Sequence, residues 1–115
     1  VRPEPKKHGR QNQIEGFIPT GSNVVVIEDL ISTGKSSLHA VEALNKTAVN
    51  VLGMLAIFTY GFGAADENFE ALNVELTTLS NYEHLIALAV AENFVSKDQL
   101  ETLKLWRKEP STWNQ

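Results

Sequence analysis

Three apolar runs and the spacing between them set the expected architecture. The first, Val24-Val25-Val26-Ile27, is four β-branched residues in a row with no polar alternation, the pattern of a strand (24–28) buried on both faces. Asn50 to Tyr60, NVLGMLAIFTY, reads as a second strand, and Val74 to Leu79 as a third. Between the first two, Ser32 to Ser37 is a turn of small residues. Leu38, Val41 and Leu44 then recur every three positions, enough for one buried helical stripe reaching about Lys46. Ala64 to Leu72 reads as a short helix. Ser80-Asn81-Tyr82-Glu83 and Ser96-Lys97-Asp98-Gln99 have the form of capping boxes, opening helices that run to about Asn93 and about Lys108. Strands that alternate with helices in this way predict an α/β fold, with a parallel sheet flanked by helices and covered on both sides.

The first 13 residues break the pattern. They hold Arg2, Lys6, Lys7, His8 and Arg10 together with two prolines and a glycine, and show neither helical nor strand periodicity. They are expected to form a mobile basic loop. Against this local positive charge the whole chain is acidic, with 14 Asp and Glu against 10 Lys and Arg over 115 residues. That balance argues against a general nucleic-acid or anionic-membrane surface. The sequence contains no cysteine, which removes disulfides and thiolate chemistry and gives no sign of an oxidising compartment. No apolar run approaches the roughly 18 residues of a membrane span, and no secretory signal opens the chain. A single cytoplasmic domain is the expectation.

The candidate chemistry lies where the first strand stops. Glu28 and Asp29 stand side by side next to an apolar core, where two carboxylates repel each other and are costly to bury. In open parallel sheets, ligands bind beyond the carboxyl ends of strands, near the following helix N-termini. Here the turn Ser32-Thr33-Gly34-Lys35-Ser36-Ser37 supplies hydroxyls, a glycine for close approach and free backbone amides, the makings of a phosphate cradle. Carboxylates would repel that phosphate, but they suit the hydroxyls of a ribose. Acids plus cradle point to a ribose 5-phosphate site. Gly34-Lys35-Ser36 also ends like a nucleotide-binding P-loop, yet that motif needs a glycine where this chain has Asp29. An ordinary strand-to-helix turn with surface acids is the plain alternative.

The stretch VVVIEDLISTGKS resembles the 5-phosphoribosyl 1-pyrophosphate (PRPP) motif of type I phosphoribosyltransferases. Within that superfamily, the opening VRPEPKKHGRQNQIEG looks like the catalytic loop of the orotate phosphoribosyltransferase family, and AIFTYG (56–61) and LETLKLWRKEPSTW look like its bacterial members. The resemblance covers nearly all of the chain. It implies transfer of ribose 5-phosphate from PRPP to orotate, giving orotidine 5′-monophosphate and pyrophosphate in pyrimidine (UMP) synthesis. It implies Mg²⁺ bound mainly through PRPP, with no protein metal ligand. By this resemblance Lys6 and His8 are the catalytic residues. Arg2, Lys6, His8 and the segment Glu28, Asp29, Leu30, Ile31, Ser32, Thr33, Gly34, Lys35 and Ser36 bind PRPP, and Ser32 also contacts orotate. Tyr60, at the end of the second strand, is a further candidate for orotate, with simple packing as its alternative. A homodimer follows, in which loop 1–13 reaches the neighbouring active site. The expected units are thus the catalytic loop 1–13, the PRPP strand-loop-helix 24–37 and the C-terminal helix 96–108.

Some members carry a lysine where this chain has Pro3, so no role is carried there. Lys7 and Arg10 read as solvated charges, His39 and His84 as surface or core residues, and Trp106 and Trp113 as anchors of the last helix. The family has a further N-terminal half of comparable length, so the chain is expected to be a portion of the enzyme. Two other readings stay open: a phosphoribosyltransferase for another base, and a non-catalytic PRPP-sensing regulator on the same fold.

Overall fold

The structure, a computed structural model, describes residues 1–2 and 12–113. Three parallel strands form one sheet in the order β1 (Asn23–Ile31), β2 (Asn50–Thr59), β3 (Leu76–Asn81). Helix α1 (Lys35–Asn45) joins β1 to β2, and α2 (Gly63–Ala71) joins β2 to β3. Helices α3 (Tyr82–Ala91) and α4 (Lys97–Lys108) follow, then one turn of 3₁₀ helix at Pro110–Thr112. The α/β class and parallel sheet are as expected. The register aligns Val26 with Met54, Glu28 with Ala56, and Met54 with Leu76.

The core lies on one face of this sheet. Leu38 and Val41 of α1, with Ala65 and Phe69 of α2, pack on Met54, Ala56 and Ile31, with Val26, Val51 and Leu76 at the margin. The other face does not follow the expectation of cover on both sides. There Ile27, Ile57 and Leu79 stay 67%, 58% and 72% exposed. Within this chain, topology accounts for the side on which α1 and α2 lie. Parallel crossovers are right-handed in nearly every known case, and the three strands are laid down side by side in one direction. Both connecting helices therefore fall on the same face. Apolar runs in β1 and β2 report strands that are apolar on both faces; they do not report what covers each face.

Several boundaries shift for physical reasons. β1 continues past Glu28 to Ile31 because its pairing to β2 persists, Leu30 opposite Phe58 and Ile31 opposite Thr59. β3 begins and ends about two residues late and still includes Ser80, so Asn81, not Ser80, caps α3. The Asn81 side chain accepts from the His84 amide at 2.9 Å. The capping box at α4 is complete: Ser96 Oγ accepts from Gln99 N–H at 3.2 Å, and Gln99 Oε1 accepts from Ser96 N–H at 2.9 Å.

Candidate functional site

The turn between β1 and α1 leaves the start of the helix without a side-chain cap. Gly34 is the N-cap of α1 in the left-handed conformation, φ +78°, and no side chain caps the helix. The first turn of α1 holds no acidic residue. The leading amides of a helix lack intrahelical partners and carry its positive dipole end. With Ser36 exposed beside them and Ser37 buried, they form a positively polarised, hydroxyl-edged turn. Lys35 is exposed next to it.

Helix α2 braces this turn from below. Asn68 Nδ2 donates to the Thr33 carbonyl at 2.9 Å. The buried Phe69 ring lies so close under Gly34 that a Cβ there would stand 2.5 Å from Phe69 Cε2. Glycine at 34 is therefore required twice, by its backbone angle and by the ring.

Strand alternation separates the two acids. Successive strand residues point to opposite faces, and accordingly Glu28 is half-buried while Asp29 is exposed. The Asp29 side chain is steadied locally, its Oδ1 accepting from the Leu30 amide at 2.8 Å. The apparent cost of adjacent carboxylates is thus avoided by pleating. Alternation then breaks: Leu30 is exposed and Ile31 is fully buried, leading into exposed Ser32 and half-buried Thr33.

The turn after β2 sits against the same strand end. Tyr60 N–H donates to the Ile31 carbonyl at 3.1 Å. The half-buried Tyr60 ring packs against Phe58, Phe62, Tyr82 and Trp106 with centroids 5.3–5.9 Å away. From α4, Arg107 Nε donates to the Tyr60 carbonyl at 3.0 Å and its Nη2 to the Gly61 carbonyl at 2.6 Å. Burial, then the neighbouring Tyr60, hold the Tyr82 phenol above its ordinary range, with Arg107 pulling the other way; its hydroxyl donates to the Leu103 carbonyl at 3.2 Å. Arg107→Ala leaves two carbonyls unpaired and is expected to destabilise the protein by about 1–3 kcal/mol, read by urea denaturation. Arg107→Lys is expected to recover only part of this, because an ammonium cannot fork between both oxygens.

Of the predicted basic residues, Arg2 is described. Its backbone N–H donates to the Gln13 carbonyl at 2.7 Å, and its guanidinium pairs with Glu15 at 2.7 Å. These two contacts tie residue 2 to residues 13 and 15. Both side chains are about half exposed, and such a pair contributes only ~0–1 kcal/mol. Lys6 and His8 lie outside the described residues. His39 and His84 are exposed, while Trp106 anchors α4 in the aromatic cluster, as expected. Trp113 lines a cavity of about 430 Å³ with Tyr60, Tyr82 and Trp106. Asn68, Phe69 and Arg107 were not singled out from the sequence. Only the basic last turn of α4 hinted at any of them, through its affinity for carbonyl groups.

No family model matches the chain. Its sequence is 58% identical over 113 residues to an orotate phosphoribosyltransferase of Cytophaga hutchinsonii and 52% identical over 113 residues to one of Listeria monocytogenes. In both cases the match covers 98% of this chain and 54% of the relative, so the chain spans about half the length of the curated relatives it matches. Among solved structures, a Mycobacterium tuberculosis orotate phosphoribosyltransferase matches at TM-score 0.61 and 36% identity, covering 72% of this chain and 47% of that one. A Leishmania donovani UMP synthase shares the fold at TM-score 0.77 and 23% identity, covering 91% of this chain and 23% of that one. No described helix is long and apolar enough to cross a membrane. Alongside the acid-bearing strand and the uncapped glycine turn, these identities show that the chain matches the C-terminal portion of orotate phosphoribosyltransferases.

Proposed function

We propose that the protein carrying this chain transfers ribose 5-phosphate from PRPP to N1 of orotate, releasing pyrophosphate, as a pentosyltransferase of pyrimidine nucleotide synthesis. The observation that carries this is the uncapped α1 N-terminus at Gly34 directly behind Glu28 and Asp29, supported by the relatives' identities. Amides of Thr33 to Ser36 and the hydroxyls of Ser32, Thr33 and Ser36 take the 5-phosphate. Asp29 and Glu28, near the carboxyl end of β1, take the ribose hydroxyls, and Leu30 and Ile31 set the path between acids and cradle. Ser32 lies on the base side, where Tyr60 shapes the site through its backbone bond to Ile31. Lys35 adds positive charge beside the phosphate.

Breaking the C1–O bond of PRPP builds positive charge on the ribose and negative charge on the departing pyrophosphate. Arg2, Lys6 and His8 meet the leaving group, and the strand carboxylates favour the cationic ring. Mg²⁺ supplies further neutralisation of the pyrophosphate. Among the described residues no three His, Cys, Asp or Glu side chains converge as a cage, and this ion commonly rides on substrate phosphates with water and one or two carboxylates. A second copy, lending its 1–13 loop, completes the site, and the reaction is placed in the cytoplasm.

The fold also fits adenine phosphoribosyltransferase from Leishmania tarentolae at TM-score 0.53, so the base must be tested directly. With PRPP and Mg²⁺, the native gene product is expected to consume orotate and to leave adenine, hypoxanthine and uracil untouched in a competition assay. Preferred consumption of another base would replace this reading. Absence of turnover, together with a DNA gel shift at moderate salt, would favour a PRPP-sensing regulator.

A further inference from the structure

We propose that Asn68 of α2 is a positioning residue that fixes the direction of the Gly34 amide, and thereby the affinity of the turn for a phosphorylated sugar. The inference rests on the ribose 5-phosphate reading of the site. A trans peptide is planar, with its carbonyl and N–H pointing opposite ways. Asn68 Nδ2 holds the Thr33 carbonyl toward α2 at 2.9 Å, so the N–H of the same peptide, that of Gly34, faces away from α2 and into the cradle.

This bond matters because the Thr33–Gly34 peptide is free to turn over. A peptide flip changes ψ of the first residue and φ of the second, and glycine tolerates both signs of φ. At Gly34 the ring of Phe69 excludes a side chain, which leaves the position with glycine's full freedom. Without a partner for the Thr33 carbonyl, the peptide could invert and present an oxygen to the anion in place of an N–H. The Asn68 amide is half-buried, which limits competition from water. It sits one residue before Phe69, so the ring that shapes the turn and the amide that orients it come from one segment of α2. The turn is thus held in its anion-ready form before any ligand arrives.

The test uses the native gene product and ribose 5-phosphate as the probe. Asn68→Leu keeps size and neutrality but cannot donate; Asn68→Ala is the second variant, should the first pack badly. Both are expected to weaken ribose 5-phosphate binding about tenfold, the scale of one charge-assisted hydrogen bond. The KM for PRPP should rise by a similar factor, with the KM for orotate unchanged. In ¹⁵N-labelled wild-type protein the Gly34 amide proton moves downfield when ribose 5-phosphate is added, and in the variants it does not. Unchanged affinity and an unchanged Gly34 response, even with a lowered Tm, would overturn the positioning role and leave the phosphate site standing. No binding of ribose 5-phosphate by wild type would overturn both.

Discussion

Lys6→Ala in the native gene product is expected to lower kcat by about 10²–10³, the usual loss when one group stabilising developing charge is removed. In the proposed transfer, the leaving pyrophosphate gains negative charge as the C1–O bond opens. A lysine ammonium, compact and with three donors, follows that charge better than a planar guanidinium does. Interactions that strengthen only in the transition state appear in kcat, while uniform binding appears in KM. The loss should therefore fall on kcat with orotate and PRPP saturating, and Lys6→Arg should recover only part of it. Single-turnover measurements separate this from slower product release. A fall of less than tenfold would remove Lys6 from the catalytic role. If loop 1–13 serves the partner's site, mixing Lys6→Ala protein with a variant damaged in the phosphate turn should regain activity, because hybrid dimers then contain one intact site. Failure of mixing to restore any turnover, with subunit exchange verified, would place the loop over its own subunit's site.

Lys6 and Gly34 illustrate different kinds of legibility. The strand-acid-turn unit could be read directly, because β-branched runs, paired acids and a small-residue turn each carry a local physical cause. Residues Leu38, Val41 and Leu44 marked the buried face of α1 by spacing alone, and all three are buried. The complete capping box at Ser96 and Gln99 was equally local. At Ser80 the same local signal misled, since Ser80 pairs with Phe58 in the sheet and the cap passes to Asn81. The bond from Asn68 to Thr33 spans 35 residues, and that from Arg107 to Tyr60 spans 47; no periodicity encodes either. Which sheet face is covered depends on the direction in which strands are added, a property of the whole topology. The separation of Glu28 from Asp29 was available from strand alternation, but only once β1 was known to run through both.

Gly34→Ala is the substitution with the largest expected effect on the fold of the site. A left-handed φ of +78° costs a side-chain-bearing residue about 1–2 kcal/mol. The added methyl would also stand 2.5 Å from Phe69 Cε2, and a buried ring in a packed core gives way only at a cost of about 1–3 kcal/mol. Phe69 is 4% exposed and wedged among Met54, Ala56 and Ala65, so the turn is the more yielding partner. The strain should therefore push residues 33–35 outward, lowering Tm and weakening ribose 5-phosphate binding at the same time. A double-mutant cycle separates the two causes. Phe69→Leu removes the ring atoms nearest Gly34, and in that background Gly34→Ala should cost only the backbone term of about 1–2 kcal/mol. Equal costs in both backgrounds would show that the ring does not constrain the turn. A Gly34→Ala protein that matches wild type in both Tm and ribose 5-phosphate affinity would show that the left-handed glycine is dispensable, and with it the cradle that the amides of α1 provide.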